Sequence, residues 1–144
     1  MITDLSESQA REFLAAQGTA RVGFDDESGP TVFAIAFVFD GRTIYGCCND
    51  PSKARLLNRA GANLWMQTAT TNARDGWTSV TVHGEIEVLD EQAASLATNL
   101  MRVRCPSFDT LTNALPVTLF AVHVLDVSGS RTAGSLQCSG SHAG

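Results

Sequence analysis

The chain has 144 residues, 44% of them hydrophobic and 17% charged, with a formal net charge of −5 and a pI near 5.0. That length and apolar content predict one folded domain with a sizeable core and exclude a disordered chain. The acidic balance, with neither a basic stripe nor a polybasic patch, argues against a general nucleic-acid binder and a membrane-surface protein. No apolar run approaches the roughly 18–20 residues of a membrane span. The polar start "MITDLSESQAREF" lacks the apolar core of a secretory signal, so the expected location is cytoplasmic.

Ser6, followed three residues later by Gln9, forms a capping box. Ala10, Phe13, Leu14 and Gln17 continue at helical spacing to Gly18, which predicts a helix over 6–17. "TARVGFDDESGPTVFAIAFVFDGRTIYGCC" then holds three Val-, Ile- and Phe-rich runs separated by "DDESGP" and "DGR", the pattern of three consecutive antiparallel strands. The middle run, 31–39, is apolar on both faces. Phe33, Ile35, Phe37 and Phe39 occupy one face and Val32, Ala34, Ala36 and Val38 the other. Such a strand lies between two packed surfaces, and its alanines leave room for something flat.

Asp50 as N-cap and Pro51 at the first helical position open a short helix that ends near Gly61. Ser52 and Lys53, the only lysine of the chain, fall in its first turn. Free amides, a hydroxyl and an ammonium at such a start suit a phosphate. Equally, the stretch is an ordinary capped helix whose Asp50 would repel an anion, with Lys53 one more surface charge.

"NLWMQTAT" predicts a fourth strand. In "WTSVTVHGEIEVL" Val80, Val82, Ile86 and Val88 share a core face, while Trp77, Ser79, Thr81, His83, Glu85 and Glu87 share a polar one. Asp90 caps a helix whose inner side carries Ala93, Leu96, Ala97, Leu100 and Met101. An irregular stretch leads to the last strand, "VTLFAVHVLDV", again apolar on both faces. Residues 128–144, rich in Gly and Ser, are expected to form a loose tail after a domain spanning 1–127. Six strands with few helices predict a mainly β fold, a six-stranded antiparallel barrel flanked by helices.

Catalytic signatures are sparse. No Gly-x-Ser-x-Gly elbow is present, and the three histidines offer little for a hydrolytic triad. His123 reads as a hydrogen-bonded core histidine, and His83 as either a structural or a ligand-facing residue. The four cysteines lack zinc-site spacing, and His83, Glu85 and Glu87 share a strand face at a two-residue spacing that is common by chance, so no metal is expected; Cys47 and Cys48 read as small buried hydrophobes, with a vicinal redox pair as the alternative.

Taken in order, "GPTVFAIAFVFDGRTIYGCCNDPSKARLLNRAGANLWMQ" and "GWTSVTVHGEIEVLD" resemble the FMN-binding split-barrel superfamily, which includes pyridoxamine 5′-phosphate oxidase-like and nitroimidazole-resistance-like flavoproteins. The resemblance covers roughly residues 5–127. It implies a split barrel and an oxidoreductase acting on a small molecule. The flavin ring would lie along Ala34, Ile35, Ala36 and Phe37, the phosphate at Cys47, Cys48, Ser52 and Lys53, and the strand start Trp77–Ser79 nearby. A homodimer with its cofactor at the subunit interface is also implied. Where many relatives carry His, Thr or Ser, this chain has "GCC", which offers mainly backbone amides. Scarce cations argue against a deazaflavin with a polyglutamate tail, and no distinctive pyridoxamine-phosphate motif appears. Alternatives to FMN are a deazaflavin or haem, and the alternative function is a carrier of flavin, deazaflavin or haem without turnover.

Overall fold

The computed structural model describes residues 1–26, 29–48, 50, 52, 55, 63–72, 76–104, 108 and 117–132. In chain order these form strand β1 (Ile2–Asp4), helix α1 (Glu7–Ala15), strands β2 (Thr19–Asp26), β3 (Gly29–Phe39), β4 (Thr43–Cys48), β5 (Asn63–Asn72) and β6 (Gly76–Val88), helix α2 (Glu91–Arg104) and strand β7 (Thr118–Thr132). None of the described helices is long and apolar enough to cross a membrane.

Local chemistry accounts for the element boundaries. The Gln9 amide donates to Ser6 Oγ at 3.1 Å and the Ser6 amide to Gln9 Oε1 at 2.9 Å, so the capping box starts α1 as expected. Asp40 Oδ1 accepts from the amides of Arg42 (2.8 Å) and Thr43 (2.7 Å). Together with Gly41 at φ +101°, which only glycine adopts without strain, this closes the β3–β4 hairpin. Asp90 Oδ1 accepts from the Ala93 amide at 2.9 Å and caps α2.

All ladders are antiparallel. The strand order is β1-β7-β4-β3-β2-β5-β6, and β6 pairs back onto β7, so six strands close into a barrel with β1 added at its rim. The fold is thus the expected split barrel. Strand β7 does the closing. One edge holds β4 through Thr118–His123 and β1 through Ser130–Thr132, while the other holds β6 from Phe120 to Arg131.

The expected tail therefore begins too early: residues 128–132 are strand. Their Gly/Ser composition has little strand preference of its own, but both backbone edges find partners. Gly129 is needed there. A Cβ on it would meet Leu5 Cδ1, Ser79 O and Val80 Cγ2, all at 2.9 Å. Residues 133–144 lie outside the described residues, as do 105–107 and 109–116 of the irregular stretch.

Inward residues of every barrel strand, among them Val22, Phe37, Ile44, Met66, Val82 and Phe120, form one core, closed at one end by Ala10 and Leu14 of α1. A second, smaller core lies outside the barrel, where α2 sets Met101 against Val38, Cys47 and Leu119, with Phe108. This explains the two-sided strands in part. Beyond α2 the outer face is open: Val32 is 63% exposed, Leu125 protrudes, and His123 is exposed rather than core, its Nε2 lying 2.8 Å from Glu87 Oε1. Leu96, expected on the inner side of α2, is 71% exposed; Ala97 and Met101 carry that contact.

Candidate functional site

Alternation along β3 sorts the four residues expected to line a flat ligand. Ile35 and Phe37 point into the barrel, 4% and 0% exposed, so only their backbone faces outward. Ala34 and Ala36 point out, Ala34 to solvent and Ala36 half-buried. Register then builds a row across three strands. Ala34 pairs with Arg21, Arg21 with Gln67, and Gln67 with Thr81. A cleft of about 370 Å³ opens there, lined by Thr19, Ala20, Arg21, Ala34, Gln67, Thr68 and Ala69. Its floor is small side chains, and its polar edge is a guanidinium and an amide.

The cleft sits where the barrel is thinnest in backbone pairing. The β2–β5 ladder spans three residues on each strand, Arg21–Gly23 against Trp65–Gln67. Buried Thr68 reinforces it by donating from Oγ1 to the Thr19 carbonyl at 2.9 Å. Gln67 Nε2 donates to Ser79 Oγ at 3.2 Å, which orients the amide and brings Ser79 to the cleft edge. Trp77, two residues earlier, is half-buried, and its amide donates to Thr132 Oγ1 at 2.9 Å, a contact that closes the barrel.

The expected phosphate end separates into parts. Cys47 faces outward opposite Ala36 and is buried beneath α2, whereas Cys48 joins the barrel core and its Sγ donates to the Asp50 carbonyl at 3.6 Å. Successive strand residues point to opposite faces, so the two thiols lie on opposite sides of the sheet, and the geometry opposes a vicinal redox pair. Asp50 caps as expected: its Oδ1 accepts from the Ser52 amide at 2.9 Å and from Ser52 Oγ at 2.7 Å. The Ser52 hydroxyl is thereby engaged by a carboxylate. Lys53 lies outside the described residues.

His83 is half-buried on the outer face of β6 and stacks on its cross-strand partner Trp65, with ring centroids 4.3 Å apart and planes at 20°. Among the described residues no group of three His, Cys, Asp or Glu side chains converges on one point. Arg21, Gln67 and Trp65 were not singled out by sequence reasoning. The alternation of "TARVGF" puts Arg21 outward, but the β2–β5 pairing that joins it to Gln67 is non-local.

The family model described as pyridoxamine 5′-phosphate oxidase matches residues 6–131. Among solved structures, an FAD-binding protein from Mesorhizobium loti is similar, with a TM-score of 0.75 and 19% identity over 92% of this chain and 99% of that one. A Bacteroides thetaiotaomicron protein described as a candidate 5-nitroimidazole antibiotic resistance protein has a TM-score of 0.71 and 15% identity, covering 90% of this chain and 88% of that one. An FAD- and haem-binding protein from Mycobacterium smegmatis has a TM-score of 0.70 and 17% identity, covering 97% and 78%. Identities this low show a common fold alone. No curated protein matches this sequence significantly.

Proposed function

Because the chain belongs to the pyridoxamine 5′-phosphate oxidase family, we propose that it is an FMN-dependent oxidoreductase that acts on a small molecule as a homodimer. The observation that carries this reading is the open cleft over Ala34, whose small floor and polar rim suit a planar ring with carbonyl and imide edges. Ala34 and Ala36 would hold the ring face and the backbone of 34–37 its edge. Arg21 and Gln67 would meet its polar atoms, and Ser52 and Lys53 would take the phosphate. When bound, FMN supplies the electron-transfer chemistry. The protein's own residues bind, orient and dry the site, so the thin histidine inventory is no obstacle. In the homodimer, a second copy placed over the open side would supply the missing wall.

Carrier function without turnover, for a flavin, a deazaflavin or haem, is the second reading. What favours it is His83, an outward imidazole held in a fixed orientation by Trp65, on a barrel shared with a protein described as binding both FAD and haem. Mass spectrometry of the supernatant from heat-denatured purified protein is expected to find FMN. Haem or a deazaflavin there, or flavin that NADH and NADPH fail to reduce, would favour the carrier. Colourless protein that also ignores added FMN would overturn the flavin reading.

A further inference from the structure

A second cavity, about 420 Å³, lies beside the Ala34 cleft and shares Arg21 and Gln67 with it. Gly23 lies at its centre, paired with Val32 on one side and Trp65 on the other. Two strand spacings separate Val32 from Trp65, about 9–10 Å. An aromatic ring in contact on both faces takes about 7–8 Å.

Neither backbone strain nor crowding demands glycine at position 23. Its φ is not positive, and a Cβ there would meet only ordinary contacts, Val32 Cγ2 at 3.6 Å and Thr31 O at 3.7 Å. What the missing side chain leaves is a slot. One wall is Val32, and the other is Trp65, 54% exposed and pre-oriented by its stack on His83. The outward residues of β2 on either side of Gly23 are Asp25, which does not line the cavity, and Arg21, which does, at the end of the slot. Arg21 is exposed, and among the described residues no carboxylate is paired with it, in a chain whose net charge is −5. Thr81 lines the same cavity.

An apolar two-walled slot that ends at an uncompensated guanidinium selects one ligand chemistry. We propose that this slot binds a planar aromatic carboxylate, its ring between Val32 and Trp65 over Gly23 and its carboxylate on the Arg21 guanidinium. A guanidinium presents a planar fork that matches a carboxylate and adds little for a neutral amide of the same shape. The walls of the slot, Val32 and Trp65, do not line the Ala34 cleft, whereas Arg21 and Gln67 line both. Where both are filled, the two ligands meet at Arg21 and Gln67.

Tryptophan fluorescence of the purified full chain tests this, titrated with 4-nitrobenzoate and with its neutral counterpart 4-nitrobenzamide. Flavin content is measured on the same sample, so failure here is distinguishable from failure of the flavin reading. Saturable quenching is expected, with the acid bound about fivefold to tenfold more tightly than the amide. Arg21→Gln should bring that ratio to about one, and Gly23→Val should abolish binding of both while leaving the thermal midpoint near wild type. Absence of saturable quenching, equal binding of acid and amide by the wild type, or a ratio that survives Arg21→Gln would each overturn the proposal.

Discussion

Phe120→Ala is expected to lower the unfolding free energy by about 3–5 kcal/mol, the usual cost of emptying a fully buried phenylalanine site. Phe120 is 0% exposed and sits on β7 opposite Gly46 of β4, at the seam that closes the barrel. The ring occupies the space a side chain at position 46 would need. A Cβ on Gly46 would lie 2.7 Å from Phe120 Cζ and 2.8 Å from Cε2. Gly46→Ala should therefore also destabilise, by about 1–3 kcal/mol through overpacking. Combined with Phe120→Ala, its methyl group enters the vacated space, so the double variant should lose less than the sum of the single losses. Chemical denaturation of the four proteins measures this, and additive losses would contradict the packing described.

Lys53→Ala should weaken FMN binding by about 1.5–3 kcal/mol, roughly 10- to 150-fold, with no comparable change in stability. Calorimetric titration of FMN-free protein reads the affinity, and thermal unfolding reads the stability. The expectation follows from the sequence, in which Lys53, the only lysine of the chain, comes directly after Ser52, whose amide Asp50 binds. The same hydrogen bonds set the opposite expectation for Asp50→Asn. Its carboxylate accepts a hydrogen bond from the Ser52 hydroxyl at 2.7 Å and would place a negative charge beside any bound phosphate. Neutralising it should tighten FMN binding. Unchanged affinity in Lys53→Ala would remove this lysine from the phosphate site.

How legible each feature was depends on how local its cause is. The Ser6–Gln9 box, the Asp40-Gly41 turn and the Asp90 cap are settled within four residues, and all three form as the residues suggest. Strand parity was legible too, since Phe33, Ile35, Phe37 and Phe39 share a face. It follows that side chains at 34–37 cannot all line one ligand, and Ile35 and Phe37 are in fact core. Non-local pairing was not legible. Residues 128–132 become strand because β6 and β1, both far earlier in the sequence, pair along their two edges, and Trp77 fastens Thr132 across 55 positions. His123 lies in an apolar run, yet it faces outward past the area α2 covers, with its Nε2 2.8 Å from Glu87 Oε1. Arg21, Gln67 and Trp65 are unremarkable apart in the sequence and become a surface only through the short β2–β5 ladder.

The central claim is that the outward face of β3 at Ala34 is the flavin site. Ala34→Phe tests it most directly, because the new ring points out of the barrel into the cleft and leaves the core residues Ile35 and Phe37 untouched. FMN titrated into the wild-type and variant proteins, followed by its visible absorbance and fluorescence, should show saturable binding to the wild type and none to a variant that remains folded by circular dichroism. FMN uptake by Ala34→Phe equal to that of the wild type would contradict the account.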